Sequence, residues 1–559
     1  MSLLFLKHRW AFIQGMFLIM ACPKAPDGPP PVQNPDETTE SQMNAEALQL
    51  PLAEDNDASA AVFQTTLKAT NDSHIFRMGI PTQVWAFNGH IPGPLIRFKA
   101  GTQLQINFTN ALELPITLAI SGHGLLSPAN DCTLNENALI APGHSCLLGA
   151  PDLGPGLYYY FAAPQAEALS ERGLIGPILV DAPNPDPDLP QEETFLVFDD
   201  IRLDTTTQIA TFEPENPLDQ WEDRLNGRLG NVLLVNGKLN PDIVWPDGKS
   251  MLLHVWNISG AQLLRLSATA HTMHQVASAR GPLAGTKSWS DISLIYVTEE
   301  LIDAGIFESG TVFKHGDVGV PPSVMSDSNP NHGLTLAPGQ RASLVWTPTE
   351  EKSLDTHLEW HDAKNGKYHA FLNGDGGVVY KAGYGDGWRP PRYLVNTDFV
   401  KNDDPMSWHP TASFEPSPAQ GGLPKIHLKI TEELSDAGLV SFFKLHELES
   451  PSTLEPGVYE LWLDNHTHTE HYLQFNGATL EVQKVEDAQN TQHTIPAGNL
   501  GVVDTVLFDK AQDIGSRCRT IAQLTIHDAG VFSITSTVLS RDMSNTLSFE
   551  TPASNGDAP

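Results

Sequence analysis

Short runs in which apolar and polar residues alternate, broken by Gly or Pro about every eight to twelve residues, constrain this chain more than any other feature. Val84-Trp85-Ala86-Phe87 leads into an Asn88-Gly89 turn and Pro92-Gly93-Pro94, followed by the alternating stretches Leu95 to Phe98 and Leu104 to Phe108. A period of two sends successive side chains to opposite faces of a strand, so the expected architecture is a β-sandwich. The 44 Gly and 43 Pro agree with many turns and hence many short strands. Helical periodicity is scarce and short, as near Ala166 to Arg172.

A chain of 559 residues exceeds one hydrophobic core and divides into blocks. The first spans residues 61–184 and closes with the apolar strand Gly176-Pro177-Ile178-Leu179-Val180. Pro183-Asn184-Pro185-Asp186-Pro187 is a linker; the second block covers residues 190–380 and opens on Phe195-Leu196-Val197-Phe198. Residues 381–424 form a second linker, in a passage rich in Gly, Tyr and Pro, and residues 425–553 form the third block. No short repeat is visible, although each block closes with a Gly-bounded aromatic strand, as distant copies of one fold would.

The N-terminus reads as an address rather than as structure. Lys7, His8 and Arg9 precede an apolar run from Trp10 to Met20, too short to span a bilayer but suited to a signal peptide. Ile19-Met20-Ala21-Cys22 resembles a lipoprotein cleavage site, so residues 1–21 are expected to be removed and Cys22 lipidated. The alternative is an ordinary secretory signal with an incidental Cys22. Residues 22–60 are rich in Pro, Asn, Glu, Asp and Ser, and read as a flexible tether. The expected location is therefore the bacterial cell envelope, periplasmic or surface-facing, with the lipid anchor as the only membrane contact.

Charge narrows the partners. With 33 basic and 67 acidic residues the net charge is −34; cleavage before Cys22 removes Lys7 and Arg9 and leaves −36. Such a surface repels nucleic acid and anionic lipid. Cys132 and Cys146 share one loop-rich segment, and an oxidising envelope favours pairing them. Cys518, flanked by Arg517 and Arg519, is either a buried thiol or an activated one.

Several motifs carry a family resemblance. Phe87-Asn88-Gly89-His90-Ile91-Pro92-Gly93-Pro94, followed by Gly101 and the strand into Asn110, resembles the N-terminal domain of multicopper oxidases. Gly156-Leu157-Tyr158-Tyr159-Tyr160 and Gly173-Leu174-Ile175-Gly176-Pro177 resemble the end of that domain. Leu233 to Gly237 and Leu336 to Arg341 are similar to the middle domain, and Tyr459 to Trp462, Gly477 and Asp528 to Phe532 to the last. The resemblance spans roughly residues 75–550 and implies an all-β chain of three cupredoxin-like Greek-key β-sandwich domains in tandem.

Members of this kind take single electrons at a type 1 copper and reduce dioxygen at a trinuclear copper cluster. Imidazoles and one thiolate hold these coppers, arranged in four His-x-His-type pairs. In this chain Ser121 and His123 stand at the first pair, and Phe161 and Ala163 at the second. In the third, His471 is kept but Gln474 and Asn476 replace the others; in the fourth stand Thr535, Ser536 and Thr537, with Arg541 at the next histidine. Among 21 histidines only His466 and His468 are spaced as His-x-His, and Cys518 is the only cysteine in the last 400 residues. A copper electron path is not expected.

The resemblance includes copper-free relatives, one of which supports bacterial cell division, and the expected function is a non-enzymatic binding or structural protein. No cofactor is expected, and the partner is an unknown envelope protein or a small ligand. The competing expectation is an oxidoreductase or a copper- or other metal-binding protein using His466, His468 and His471, which would need a turn to bring the third imidazole inward. His357, His361 and His369 would form a metal pair only on a helix, and His271 and His274 read as strand and turn residues. A third expectation is a small-ligand cavity in the vacated cluster space, lined by His123, Phe161 and Tyr472. No Gly-x-Ser-x-Gly motif supports a hydrolase triad.

Overall fold

The computed structural model describes residues 50–550, apart from short loop stretches and most of 213–226, 290–333, 348–355, 361–367, 373–377, 383–392, 400–409 and 509–516. The signal and lipidation site, most of the tether expected at residues 22–60, and His361 lie outside the described residues; within that tether Leu50 is buried and Leu52 bridges to Leu95. Of the described residues 59% are strand and 3% helical. The short helix Ala166–Glu171 falls where the weak helical pattern stood.

The strands form three successive pairs of sheets with one shared plan. In the first, Val62–Arg77 pairs antiparallel with Ile80–Phe87 and parallel with Gln103–Asn110. In the second, Glu193–Ile201 pairs antiparallel with Val232–Val235 and parallel with Met251–Asn257. In the third, Lys425–Leu434 pairs antiparallel with Val440–Glu449 and parallel with Gly457–Asn465. The facing sheets of the first two repeat a second device, a late strand parallel to an early one: Ile175–Asp181 with Ile96–Lys99, and Tyr393–Phe399 with Asp242–Trp245. Such parallel neighbours cannot be joined by hairpins and require the long crossings of a Greek key.

One residue marks the repeat. Asn110, Asn257 and Asn465 each end the strand that runs parallel to the opening strand, and none is exposed. Each Oδ1 accepts the backbone N–H two residues on, from Leu112, Ser259 and Thr467. Each amide also donates to a distant carbonyl: Ile140, Leu336 and Phe508. The side chain thus satisfies backbone groups that a buried turn would leave unpaired. Asn88 and Asn236 form a second matched pair, at φ 53° and 51° before Gly89 and Gly237 at φ 76° and 74°. Two successive positive φ values define the hairpin turn that suits Asn-Gly. Each Asn also holds the opening strand, through Lys68 N in one and Val197 N in the other.

Burial follows the alternation where one face is covered and departs from it where both are. Cys518–Ile526 alternates buried and half-buried residues throughout. Ile175–Asp181 is buried at all but its last position. Its outer face enters a cluster containing Leu157, Tyr159, Leu179, Val197, Trp256 and Ile258, which joins the first sheet pair to the second. Trp256 is fully buried there, and its Nε1 donates to Tyr158 O at 2.8 Å. In the first sheet pair, Cys132 and Cys146 form a disulfide. Cys518 is buried.

Trp256→Ala should lower the unfolding free energy by about 3–5 kcal/mol, as for other buried aromatic truncations, and Trp256→Phe by much less. Urea unfolding followed by circular dichroism tests this; equal losses for both variants would contradict the packing role.

Candidate functional site

Several residues at the expected copper-ligand positions lie around Tyr159. Ser121 follows the strand Thr117–Ile120; its N–H donates to Tyr159 O at 3.0 Å and its Oγ accepts from Tyr159 N at 3.1 Å. The Phe161 ring lies 5.7 Å from the Tyr159 ring. Gln474 Nε2 reaches the Tyr159 hydroxyl at 3.4 Å. Thr537 completes the set across Gly339: a Cβ built on that glycine would lie 3.1 Å from the Tyr159 hydroxyl and 3.4 Å from Thr537 Cγ2. Four segments far apart in sequence therefore meet as the resemblance requires, but they meet around a phenol.

The remaining positions are occupied in ordinary structural ways. Ala163 is buried at the end of its strand, opposite Thr117. Asn476 Nδ2 donates to Ser533 Oγ at 3.2 Å. Thr535 and Ser536 pair in the sheet with Gln474 and Leu473. His471 is fully buried; its Nε2 lies 2.9 Å from Thr467 Oγ1, and its ring meets the Phe443 ring edge-on at 4.6 Å.

Three charged residues surround the convergence, and the sequence patterns did not single them out for it. Asp504 has no exposed side-chain area; its Oδ2 lies 2.8 Å from Arg341 Nη2 and 3.4 Å from Arg280 Nε. Gly122, between Ser121 and His123, faces this carboxylate so closely that a Cβ would sit 2.5 Å from Asp504 Oδ2. His123 Nε2 accepts from Arg280 Nη1 at 2.8 Å. Burial, and then the Arg280 charge, push the His123 pKa down to about 3, so the ring is neutral at physiological pH. Burial would raise Asp504, but Arg341 and Arg280 overcome it and hold the carboxyl below its usual value. Burial pushes Tyr159 up to about 12, so it remains a phenol. Arg341 belongs to the Leu336 to Arg341 motif. Asp504 is the lone acid in the apolar run Val502 to Phe508, a pattern that signals a buried charge with a partner elsewhere.

These residues do not fit a copper cluster. Redox copper there needs several free imidazoles, and the only one at a ligand position beside Tyr159 is His123, whose acceptor nitrogen is taken by a guanidinium. Two guanidinium charges beside the same point oppose a further cation, and Phe161 and Ala163 offer no donor atoms.

The other histidines are placed as follows. His466 is half-buried, its pKa lowered by burial and then Lys429, and its N–H donates to Ile430 O. His468 lies outside the described residues. Among the described residues, no group of three His, Cys, Asp or Glu side chains is arranged to hold a metal. His357 stands on the strand Thr356–Trp360 rather than on the helix its pairing with His361 would need, and His369 stands on Tyr368–Leu372. His274 is a strand residue whose Nδ1 lies 3.0 Å from Ser288 Oγ; His271 is outside the described residues. Tyr472, expected beside His123 and Phe161, instead packs with Ala261, Ala337 and Leu507. The expected cavity lining is thus not assembled: Tyr472 points into an apolar interface, and His123 is bound to Arg280.

Comparison with known proteins agrees with this architecture. Residues 68–185 match the multicopper oxidase family model. A multicopper oxidase from Campylobacter jejuni, described as a metallo-oxidase, superposes with a TM-score of 0.60 over 90% of this chain and 94% of its own, at 19% identity. One from Pseudomonas thermotolerans gives 0.59 over 88% and 100%, at 17% identity. In fold the chain is similar to multicopper oxidases, and its first sheet pair matches their family model. It also resembles the cell division protein FtsP: it is 28% identical to FtsP of Proteus mirabilis over 284 residues, which is 47% of this chain and 57% of that protein. A shorter match, 24% identity over 140 residues, reaches the copper-containing nitrite reductase of Neisseria meningitidis, covering 25% of this chain and 35% of that one.

The buried neutral His123 gives a pH dependence with a defined sign. Between pH 6.5 and about 3 the unfolded chain binds a proton at this residue that the folded chain does not. The His123 contribution therefore favours folding as pH rises through that window and is withdrawn on acidification. The difference in stability between the native chain and His123→Gln, measured by denaturant titration from pH 7 to 4, should change with pH in that direction. A pH-independent difference would contradict the buried neutral imidazole.

Proposed function

We propose that this protein is a copper-independent, non-enzymatic scaffold of the bacterial cell envelope, held to a membrane by lipid on Cys22 and serving as a binding or structural partner of an envelope protein. The observation that carries this reading is the filling of the ligand positions near Tyr159 by non-ligands, with Arg280 on the His123 imidazole and His471 bonded to Thr467. Carbon side chains, an amide and hydroxyls keep the shape of the oxidase while offering copper too few donors. The likeness to FtsP proteins, named for cell division, supports an envelope role and makes the division machinery the first place to seek a partner. The apolar run ending at Cys22 and the Pro-rich acidic stretch after it support a lipid-anchored body standing off a membrane. The strongly negative surface makes a protein partner with a basic face more compatible than nucleic acid or anionic lipid.

Protein secreted into a copper-supplemented periplasm and purified should carry substoichiometric copper, show no blue charge-transfer band, and oxidise neither phenols nor ferrous iron. Stoichiometric copper with oxygen consumption would overturn the scaffold reading. For the anchor, Cys22→Ser should move the protein from the membrane fraction to the soluble periplasmic fraction; unchanged fractionation would remove the lipid from the proposal.

A further inference from the structure

We propose that the middle block has taken over the bridging place that copper holds between the first and last domains of the oxidases, so that Arg280 and Arg341 clamp Asp504 and hold the three sheet pairs together without metal. The clamp is built on a hairpin tip, Ser278 to Gly281, between the strands Thr272–Ser278 and Gly281–Trp289. This tip touches both neighbours through backbone. Leu157 N donates to Ala279 O at 2.8 Å, and Arg280 N donates to Val502 O at 3.2 Å. Ser278 Oγ also donates to Val502 O, at 2.8 Å. Only glycine allows such an approach on the first-block side: a Cβ on Gly156, at φ 153°, would lie 2.3 Å from Ala279 O.

From that tip the Arg280 guanidinium faces three ways. It lies 4.7 Å from the Tyr158 ring centroid, donates to His123, and its Nε approaches Asp504. Arg341 comes from the adjoining strand of the same sheet; its Nε donates to Leu157 O at 3.1 Å, and its Cζ lies 5.3 Å from the Tyr159 ring centroid. Two cations share one carboxylate, and neutral acceptors and two aromatic faces meet the surplus positive charge. Arg341 and Asp504 are fully buried and Arg280 side-chain exposure is 8%, so little water screens the group. Hydrogen bonds continue the joint: Gln340 Nε2 donates to Asn499 Oδ1 at 2.8 Å, and Thr537 Oγ1 donates to Pro338 O at 2.9 Å.

A buried ion group is weak support for stability when compared with an apolar replacement, but removing one member strands the others without solvent. The clamp therefore makes a prediction about coupling. In the full chain, Arg280→Met and Asp504→Asn should each lower Tm by roughly 5–15 °C while far-UV circular dichroism is kept. The double variant should lose clearly less than the sum, because each change removes the other's partner. The Tm of the native chain should be the same in EDTA and in excess copper(II). Strictly additive losses, or a Tm raised by copper, would overturn the clamp. Should Asp504→Asn not fold, Arg280→Lys decides in its place: it keeps the charge but not the forked contacts to His123 and Asp504, and a Tm equal to the native value would equally overturn the proposal. The inference shares the copper-independent reading above but fails separately from it. Metal-free protein with additive variants refutes the clamp alone, whereas copper in the purified native chain refutes the scaffold reading.

Discussion

A carboxylate sealed from water at the meeting point of three β-sandwiches keeps its charge only if cations are fixed beside it. Asp504 has Arg341 at 2.8 Å and Arg280 at 3.4 Å, and both arginines come from the middle block while the carboxylate comes from the last. This ion group joins those blocks beside the hydrogen bonds Gln340 to Asn499 and Thr537 to Pro338. The first block enters through Tyr158, Tyr159 and His123, which receive the arginines on ring faces and on an imidazole nitrogen. Burial then acts in one direction on each group: the imidazole stays neutral, the phenol stays protonated, and the carboxylate stays charged because of its partners.

The same site shows how an oxidase-like architecture can be filled by residues that are not copper ligands. Ser121, Phe161, Gln474 and Thr537 still arrive from four separate strands or turns at one place, because strand pairing and burial put them there. What changed is the content of the meeting point. Phe161 and Gln474 meet the Tyr159 side chain, Ser121 bonds its backbone, and the nearby charge is provided by guanidinium groups. Backbone geometry inherited from a metal site does not require a metal, provided that each buried polar atom finds another partner.

Much of this was legible in the chain itself. The alternating runs and Asn-Gly turns mark the strands and sandwiches, and the scarcity of His-x-His pairs argues against a laccase-type copper set. The tandem of like domains followed from the family resemblance, but its side-chain marker was not singled out: Asn110, Asn257 and Asn465 end equivalent strands. The strand Ile175–Asp181 breaks the alternation because its second face packs on the next sandwich rather than on solvent. The expectation of a cavity beside His123 and Tyr472 failed for a similar reason, since the direction in which Tyr472 points is set by packing against Ala337 and Leu507.

Local sequence determined which segments are strands, where they turn, and which donor atoms are missing, because those depend on side-chain period, on positive-φ residues and on residue type alone. Tertiary structure decided that Arg341 meets Asp504, 163 positions away, and that Arg280 covers the His123 imidazole. Contacts of that range arise from how whole sheets pack, and a charge that will be buried by a distant block carries no local pattern beyond being out of place in an apolar run.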